Sequence, residues 1–183
     1  MNTMSFIVWM LPIIFMIHDF EEILMAEVWG KRFKQEINQT WPKRKPFGLN
    51  EIHYWFTPTL SIGVELEFLL FSLISFFSVL FQNYMLWFAA FAGLLIHMLF
   101  IHIFICFRFK NYVPGVITSL IFLLPGLWYF YSAEKILRYD AGLILFACLL
   151  GAGLIVFMIL SLHTLMGNLS KWLFQYSKGQ INE

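Results

Sequence analysis

The sequence predicts an all-α membrane protein: a polytopic transmembrane helix bundle of about five spans, forming a single transmembrane domain over residues 1–183. Apolar residues make up 60% of the chain and charged residues only 13%, a composition outside the range of soluble domains. Five apolar stretches reach about 20 residues, the length that a helix needs to cross a bilayer. They lie near residues 5–28, 56–80, 84–107, 113–132 and 141–163.

The distribution of positive charge predicts how these spans are oriented, because cytoplasmic loops carry an excess of Lys and Arg. Only Lys135 and Arg138 lie on one side of the predicted bundle. The ten basic residues on the other side are Lys31, Arg32, Lys34, Lys43, Arg44, Lys45, Arg108, Lys110, Lys171 and Lys178. We therefore expect the N-terminus outside and the C-terminus in the cytoplasm. We expect the protein to lie in the inner or plasma membrane of the cell. Its expected partner is the lipid bilayer, and no nucleic-acid partner is expected.

The tail beyond the fifth span is amphipathic. Leu169, Trp172, Leu173 and Tyr176 recur at helical spacing and are flanked by lysines. This pattern predicts a short interfacial C-terminal helix that lies on the inner membrane surface.

The first span contains four polar residues that a simple anchor does not need: His18, Asp19, Glu21 and Glu22. An acidic side chain at mid-membrane costs about 2.5–3.5 kcal/mol, whereas one apolar residue returns only about 0.3–0.6 kcal/mol. On a helix of about 100° per residue, Glu21 lies about 60° to one side of His18 and Glu22 about 40° to the other. These three share one face, with Asp19 at its margin, and that face requires a polar interior.

The second and third spans bring polar residues to a similar depth. Counted from the predicted cytoplasmic ends, His18, Glu65 and His97 each lie about nine or ten residues into the membrane. Glu67 points about 160° away from Glu65 on a regular helix, so one face cannot present both. Glu65 is preferred because two serines share its face, although Glu67 stays an alternative.

His102 adds another imidazole to the span of His97. The two are about 140° apart on a regular helix, so both can serve one site only if the helix bulges or the site is wide. Thr118 approaches the same region from the fourth span. Gly93, one turn before His97, would let a neighbouring helix approach closely.

Neutral imidazole and carboxylate are ligands of zinc and of non-haem iron or manganese. We therefore expect a divalent metal ion, zinc first with iron or manganese as alternatives. Its expected ligands are His18, Glu22, Glu65, His97 and His102. Glu21 lies on the other flank of His18 and is expected to be the catalytic base that takes a proton from water. A metal-free mechanism, in which one protonated and one ionised glutamate divide the acid and base roles, stays open.

Two stretches of the sequence match the motifs of a known protein family. The first is His18-Asp19-Phe20-Glu21-Glu22, and the second runs from Gly93-Leu-Leu-Ile-His97 through Asn111-Tyr-Val-Pro-Gly-Val-Ile-Thr118 to Leu124-Pro125. Together they make the chain resemble the HXXEE-domain family of small bacterial integral-membrane proteins. That family has an Asn four residues before a histidine, followed by a Tyr-x-Pro-Gly-x-x-Thr segment; Gly93 stands in the place of the Asn. The resemblance covers about residues 5–130 and implies that His18, Glu21, Glu22 and His97 are the functional set.

These patterns favour a metal-dependent membrane hydrolase that acts on a lipid or other amphiphilic substrate reached from the cytoplasmic leaflet. The main alternative is a proton- or cation-linked transport protein, since intramembrane carboxylates also mark ion paths. Two observations weigh against transport: the sequence shows no internal repeat, and spans four and five are nearly apolar in their outer halves. A structural or partner-binding module with an internal polar lock is the third interpretation.

Overall fold

The computed structural model describes residues 3–43, 45–50 and 52–179, so Arg44, one of the basic residues counted above, lies outside the described part. Within these ranges the chain forms helices and no strand. In chain order the helices are α1 (Thr3–Val8), α2 (Met10–Arg32), α3 (Lys34–Thr40), α4 (Phe56–Phe81), α5 (Met85–His97), α6 (Phe104–Phe109), α7 (Val116–Leu137) and α8 (Ala141–Lys178). A 3-10 turn occupies Pro46–Gly48, and a π-helix occupies Met98–Ile103 between α5 and α6.

Five helical stretches are long and apolar enough to cross a membrane. They are Thr3–Arg32, Phe56–Phe81, Met85–Phe109, Val116–Leu137 and Ala141–Lys178, and each contains most of the corresponding predicted span. The prediction of an all-α polytopic bundle is therefore confirmed, and the chain is a multi-pass membrane protein.

The C-terminal segment differs from the prediction. The residues expected to form a separate interfacial helix instead continue α8 without a break to Lys178. At about 1.5 Å per residue, the 38 residues of α8 extend about 57 Å, well beyond a hydrocarbon core about 30 Å thick. The far end of α8 contacts the loop before α4, where Ser170 Oγ donates to the Tyr54 carbonyl oxygen at 2.7 Å. The Tyr54 and Phe174 rings also stack there, with centroids 4.0 Å apart.

The first span is broken at Trp9, between α1 and α2, and a proline explains the break. Pro12 has no N–H, so the carbonyl of Val8, four residues earlier, loses its helical partner. In this structure the Val8 oxygen accepts instead from Trp87 Nε1 at 2.8 Å and from Ser75 Oγ at 3.1 Å. The break thus ties the first span to the second and the third.

Helices α5 and α8 approach each other closely through two glycines. A Cβ atom placed on Gly93 would lie 2.6 Å from the carbonyl oxygen of Gly151, closer than real side chains allow. Small residues at such positions let two membrane helices pack backbone against backbone. The expected role of Gly93 is confirmed. The close packing fixes the position of α5 against α8 one turn before His97.

Candidate metal centre

Four side chains from two spans converge at the centre of the bundle. His18, Glu22, His97 and His102 each direct one ligand atom to a common point, and these atoms all lie within 4.8 Å of one another. We refer to these residues as the four-ligand cluster. His18 and His102 are fully buried, and Glu22 is buried with 8% of its surface exposed. The prediction that polar groups of the first and third spans meet inside the bundle is confirmed.

The separations within the four-ligand cluster fit one small ion. Ligand atoms bound at about 2.0–2.2 Å to one tetrahedral ion lie about 3.3–3.6 Å from one another. Glu22 Oε1 lies 3.0 Å from His102 Nε2, 3.6 Å from His18 Nε2 and 3.9 Å from His97 Nε2. The two nitrogens His97 Nε2 and His102 Nε2 are 2.9 Å apart. These distances bracket the tetrahedral value, so small side-chain shifts are sufficient to bind an ion.

Unpartnered atoms point to the same conclusion. His18 Nε2 and Glu22 Oε1 are buried and make no hydrogen bond with any residue that the structure describes. A buried polar atom left without a partner costs about 1–3 kcal/mol. A cation bound between them would satisfy both atoms.

The backbone of the loop before α7 fixes the protonation of His102. Its Nδ1 lies 2.8 Å from the carbonyl oxygen of Pro114, and because a carbonyl only accepts, Nδ1 must carry the proton. The Nε2 lone pair of the neutral ring therefore faces the four-ligand cluster. Metal-binding histidines commonly donate their second ring nitrogen to such a carbonyl.

A side-chain relay fixes His18 in the same way. Thr118 Oγ1 lies 2.7 Å from Glu21 Oε2 and 3.0 Å from His18 Nδ1. The hydroxyl donates its proton to the carboxylate and accepts from His18 Nδ1–H, which leaves the His18 Nε2 lone pair free for the cluster. The expected approach of Thr118 from the fourth span is thus confirmed.

Glu21 itself lies outside the four-ligand cluster. Its two oxygens accept from Tyr112 Oη at 2.8 Å, from the backbone N–H of Thr118 at 2.8 Å and of Ile117 at 3.3 Å, and from Thr118 Oγ1. Burial, followed by the hydrogen bond to Glu21, raises the pKa of Tyr112, so its phenol stays protonated and donates. The carboxylate of Glu21 is therefore fully used in holding the first turn of α7 and the His18 relay. This geometry does not favour the catalytic-base role predicted for Glu21.

The π-helix explains how His97 and His102 reach one site. They are five positions apart, and the wider turn at Met98–Ile103 brings i and i+5 toward one face. Their ring centroids are 4.7 Å apart. The helical bulge that both histidines need in order to serve one site is therefore present.

Gly115 gives the imidazoles room. Its φ is +82°, in the left-handed region that other residues avoid. A Cβ here would lie 2.5 Å from His102 Nδ1 and 3.0 Å from His18 Cε1. Tyr112, Pro114 and Gly115 are site residues that were not predicted, although the Tyr-x-Pro-Gly-x-x-Thr segment contains all three and is the sequence signal for them.

The structure does not bring Glu65 to the cluster. Glu65 is exposed on the outer face of α4, whereas Glu67 is half-buried and lines the cavity beside Glu22. The choice of Glu65 over Glu67 is therefore corrected. The serines used to choose between the two faces, Ser61 and Ser72, do not line this cavity; Ser61 Oγ instead donates to the carbonyl of Thr57, one turn earlier on α4.

A mostly apolar cavity of about 400 Å³ adjoins the four-ligand cluster, between α4, α8 and the third span. We call it the apolar cavity. Glu22, His97 and His102 form part of its wall, together with Asp19 and Glu67. Asp19, which was placed at the margin of the polar face, is 5% exposed, and its Oδ1 has no hydrogen-bond partner among the described residues. Asp19 also interacts electrostatically with Glu22 and Glu67, so three carboxylates share this space.

Comparison with known proteins identifies one family. The family model described as "Protein of unknown function with HXXEE motif" matches residues 9–130. The matched region includes the four-ligand cluster, Glu21 and the loop from Tyr112 to Thr118. Among the curated proteins and among the solved structures, no match was found.

Proposed function

This chain belongs to the HXXEE-motif family, a family of unknown function, and from its site we propose a metal-dependent membrane enzyme of the hydrolase type. Its substrate would be a lipid or another amphiphile, and its location the inner or plasma membrane. One observation carries the proposal: four ligand atoms lie within 4.8 Å of one another, and three of their residues, Glu22, His97 and His102, line a mostly apolar cavity of about 400 Å³. A reactive polar centre beside an apolar pocket suits a molecule with both a polar bond and a hydrocarbon part.

The donor set favours zinc, with iron or manganese as alternatives, because three imidazoles and one carboxylate suit each of these ions. When bound, such an ion would supply Lewis acidity toward a carbonyl or phosphoryl oxygen and toward water. His18, Glu22, His97 and His102 would hold it, while Pro114 and Thr118 keep two of the rings in the binding tautomer.

Glu67 replaces Glu21 as the proposed general base. It lies on α4 and faces the apolar cavity that Glu22 and His97 also line. Its carboxylate has no hydrogen bond to any described residue, so it is available to a water or a substrate within the cavity. Glu21, by contrast, has each oxygen occupied by two donors.

Part of the wall of the apolar cavity is also outer surface of the bundle. Val156 and Leu160 on α8 line it and are 56% and 44% exposed on the outer surface. In a membrane this outer surface meets lipid chains. An amphiphile dissolved in the bilayer would thus enter past this face of α8 without leaving the membrane.

The test is hydrolysis of a fluorogenic long-chain ester, 4-methylumbelliferyl oleate, by protein purified without chelator. We expect turnover that EDTA abolishes and that added Zn²⁺, Fe²⁺ or Mn²⁺ restores. The His102→Ala variant should show no such turnover. Turnover that persists unchanged in EDTA would contradict the metal-dependent mechanism.

A proton- or cation-linked transport protein is the second candidate, favoured by the three carboxylates of Asp19, Glu22 and Glu67 inside the bundle. Proteoliposomes loaded with a pH-sensitive dye distinguish the two functions. An ion flux that Asp19→Asn abolishes, in a protein that does not hydrolyse the ester, would establish transport in place of hydrolysis.

A further inference from the structure

A second cleft adjoins the apolar cavity at the loop between α3 and α4. It has a volume of about 520 Å³ and is lined by Lys31, Lys34, Asn38, Lys45 and His53, with Glu27 as its acidic residue. We call it the basic cleft. Lys45 lines both the basic cleft and the apolar cavity, so the two spaces meet at its side chain.

The positive charge of the basic cleft is only partly neutralised. Glu27 is engaged by Lys31, 2.5 Å away, and accepts from the hydroxyl of Thr57 at 2.7 Å. Neither Lys34 nor Lys45 forms an ion pair with a carboxylate in the described part of the chain. Two ammonium groups therefore face the cleft without a counterion, as required for an anion such as a phosphate group.

The apolar cavity extends from this end toward the middle of the bundle. Along α4 its lining runs from Leu60 to Phe71, a distance of about 16 Å at 1.5 Å per residue. His102 lies close to the loop end, because the Phe47 ring stacks near its imidazole with centroids 6.2 Å apart. The polar cluster thus lies on the wall of a long apolar space that meets the basic cleft at Lys45.

We propose that the substrate is a single-chain amphiphile with an anionic phosphate headgroup. Its headgroup would bind in the basic cleft against Lys34 and Lys45, and its hydrocarbon chain would fill the apolar cavity. This inference rests on the proposed function and specifies its substrate class. The headgroup and the chain would then bind on opposite sides of Lys45, with the chain in the cavity that Glu22, His97 and His102 line.

Equilibrium binding tests the inference with three probes, each displacing a fluorescent fatty acid from the purified protein. The probes are 1-oleoyl lysophosphatidic acid, monooleoylglycerol with the same chain and no charge, and glycerol 3-phosphate with the headgroup and no chain. We expect lysophosphatidic acid to bind at least about tenfold more tightly than either of the others. Equal binding of the two oleoyl compounds would overturn the headgroup assignment, and tight binding of glycerol 3-phosphate alone would show a site for a free phosphate compound.

Matched lysine variants distinguish binding in the basic cleft from general attraction of an anionic lipid to the lysines of the loop. Lys45→Ala should weaken lysophosphatidic acid about tenfold or more and leave monooleoylglycerol unchanged. Lys43→Ala is the control, because Lys43 is exposed in the same loop and lines neither space. An equal loss in both variants would overturn the inference. Binding is measured without turnover, so a protein that binds no metal or hydrolyses no ester can still pass this test.

Discussion

The Nε2 atoms of His97 and His102 lie 2.9 Å apart, although five positions separate the residues in the chain. Pro114 holds the proton of His102 on Nδ1, so His102 Nε2 can only accept. Either His97 donates to it or a cation lies between the two nitrogens. The π-helix at Met98–Ile103 creates this contact, and π-turns inside α-helices are frequent at functional sites.

Replacing Gly115 with alanine should disrupt the site. The left-handed backbone alone costs about 1–2 kcal/mol for a residue with a Cβ, and the added methyl meets the rings of His102 and His18. We expect a lower melting temperature and reduced metal content. Gly153→Ala is the control, since a Cβ at Gly153 meets nothing within 4 Å; a Gly115→Ala protein that behaves like this control would contradict the assigned geometry.

Thr118 should act on metal affinity through its hydroxyl. Thr118→Ala removes the link between Glu21 and His18, and loss of such an outer partner typically weakens metal binding about 10–100-fold. Thr118→Ser keeps the hydroxyl and should restore most of the affinity. Competition with a chromophoric chelator measures both variants, and equal affinities for the alanine and serine variants would rule out the relay.

Glu21→Gln tests the revised role of that residue. An amide would oppose one of the donors that Tyr112, Ile117 and Thr118 now direct at the carboxylate, at a cost of about 1–3 kcal/mol. We expect a lower melting temperature and weaker metal binding. Tyr112→Phe, which removes one of these hydrogen bonds, should have a smaller effect. If Glu21→Gln instead keeps wild-type stability and metal content but loses turnover, the catalytic-base role predicted from sequence is the correct one.

Glu67 and Glu65 offer a matched pair on one helix. Glu67 lines the apolar cavity and Glu65 is exposed on the outer face. Glu67→Gln should reduce ester hydrolysis about 10²–10⁴-fold while retaining metal, as expected when a general base is removed. Glu65→Gln should hydrolyse at the wild-type rate. The reverse pattern would return Glu65 to the mechanism.

Much of the fold could be predicted because membrane burial leaves few alternatives. The length of the apolar stretches predicts the five spans. The cost of placing polar and charged side chains in the membrane predicts that His18, Glu22 and His97 face the interior of the bundle. The continuation of α8 was missed because the amphipathic pattern of Leu169 to Tyr176 suggested a separate helix. No proline interrupts the chain there to end α8.

The details of the site depended on contacts that helical geometry cannot supply. Which face of α4 meets α2 decides between Glu65 and Glu67, and the serines that favour the Glu65 face in the sequence do not line the cavity. The position of Glu21 on the other flank of His18 predicts a base, and its contact with Tyr112, which spans 91 positions of the chain, cannot be read from helical geometry. The partnership of His97 and His102 required a π-turn, which departs from the regular 100° per residue used for prediction.

The central claim is that His18, Glu22, His97 and His102 hold one divalent metal ion, and elemental analysis of the purified protein tests it most directly. Wild-type protein prepared without chelator should contain about one equivalent of zinc, iron or manganese. Glu22→Gln and His102→Ala should lose it, and their melting temperatures should no longer rise with added metal, because a ligand stabilises only the state that binds it. His163→Ala, which changes a histidine of the same cavity outside the cluster, should retain the metal. A folded wild-type protein without metal, or a His102→Ala protein that keeps a full equivalent, would contradict the claim.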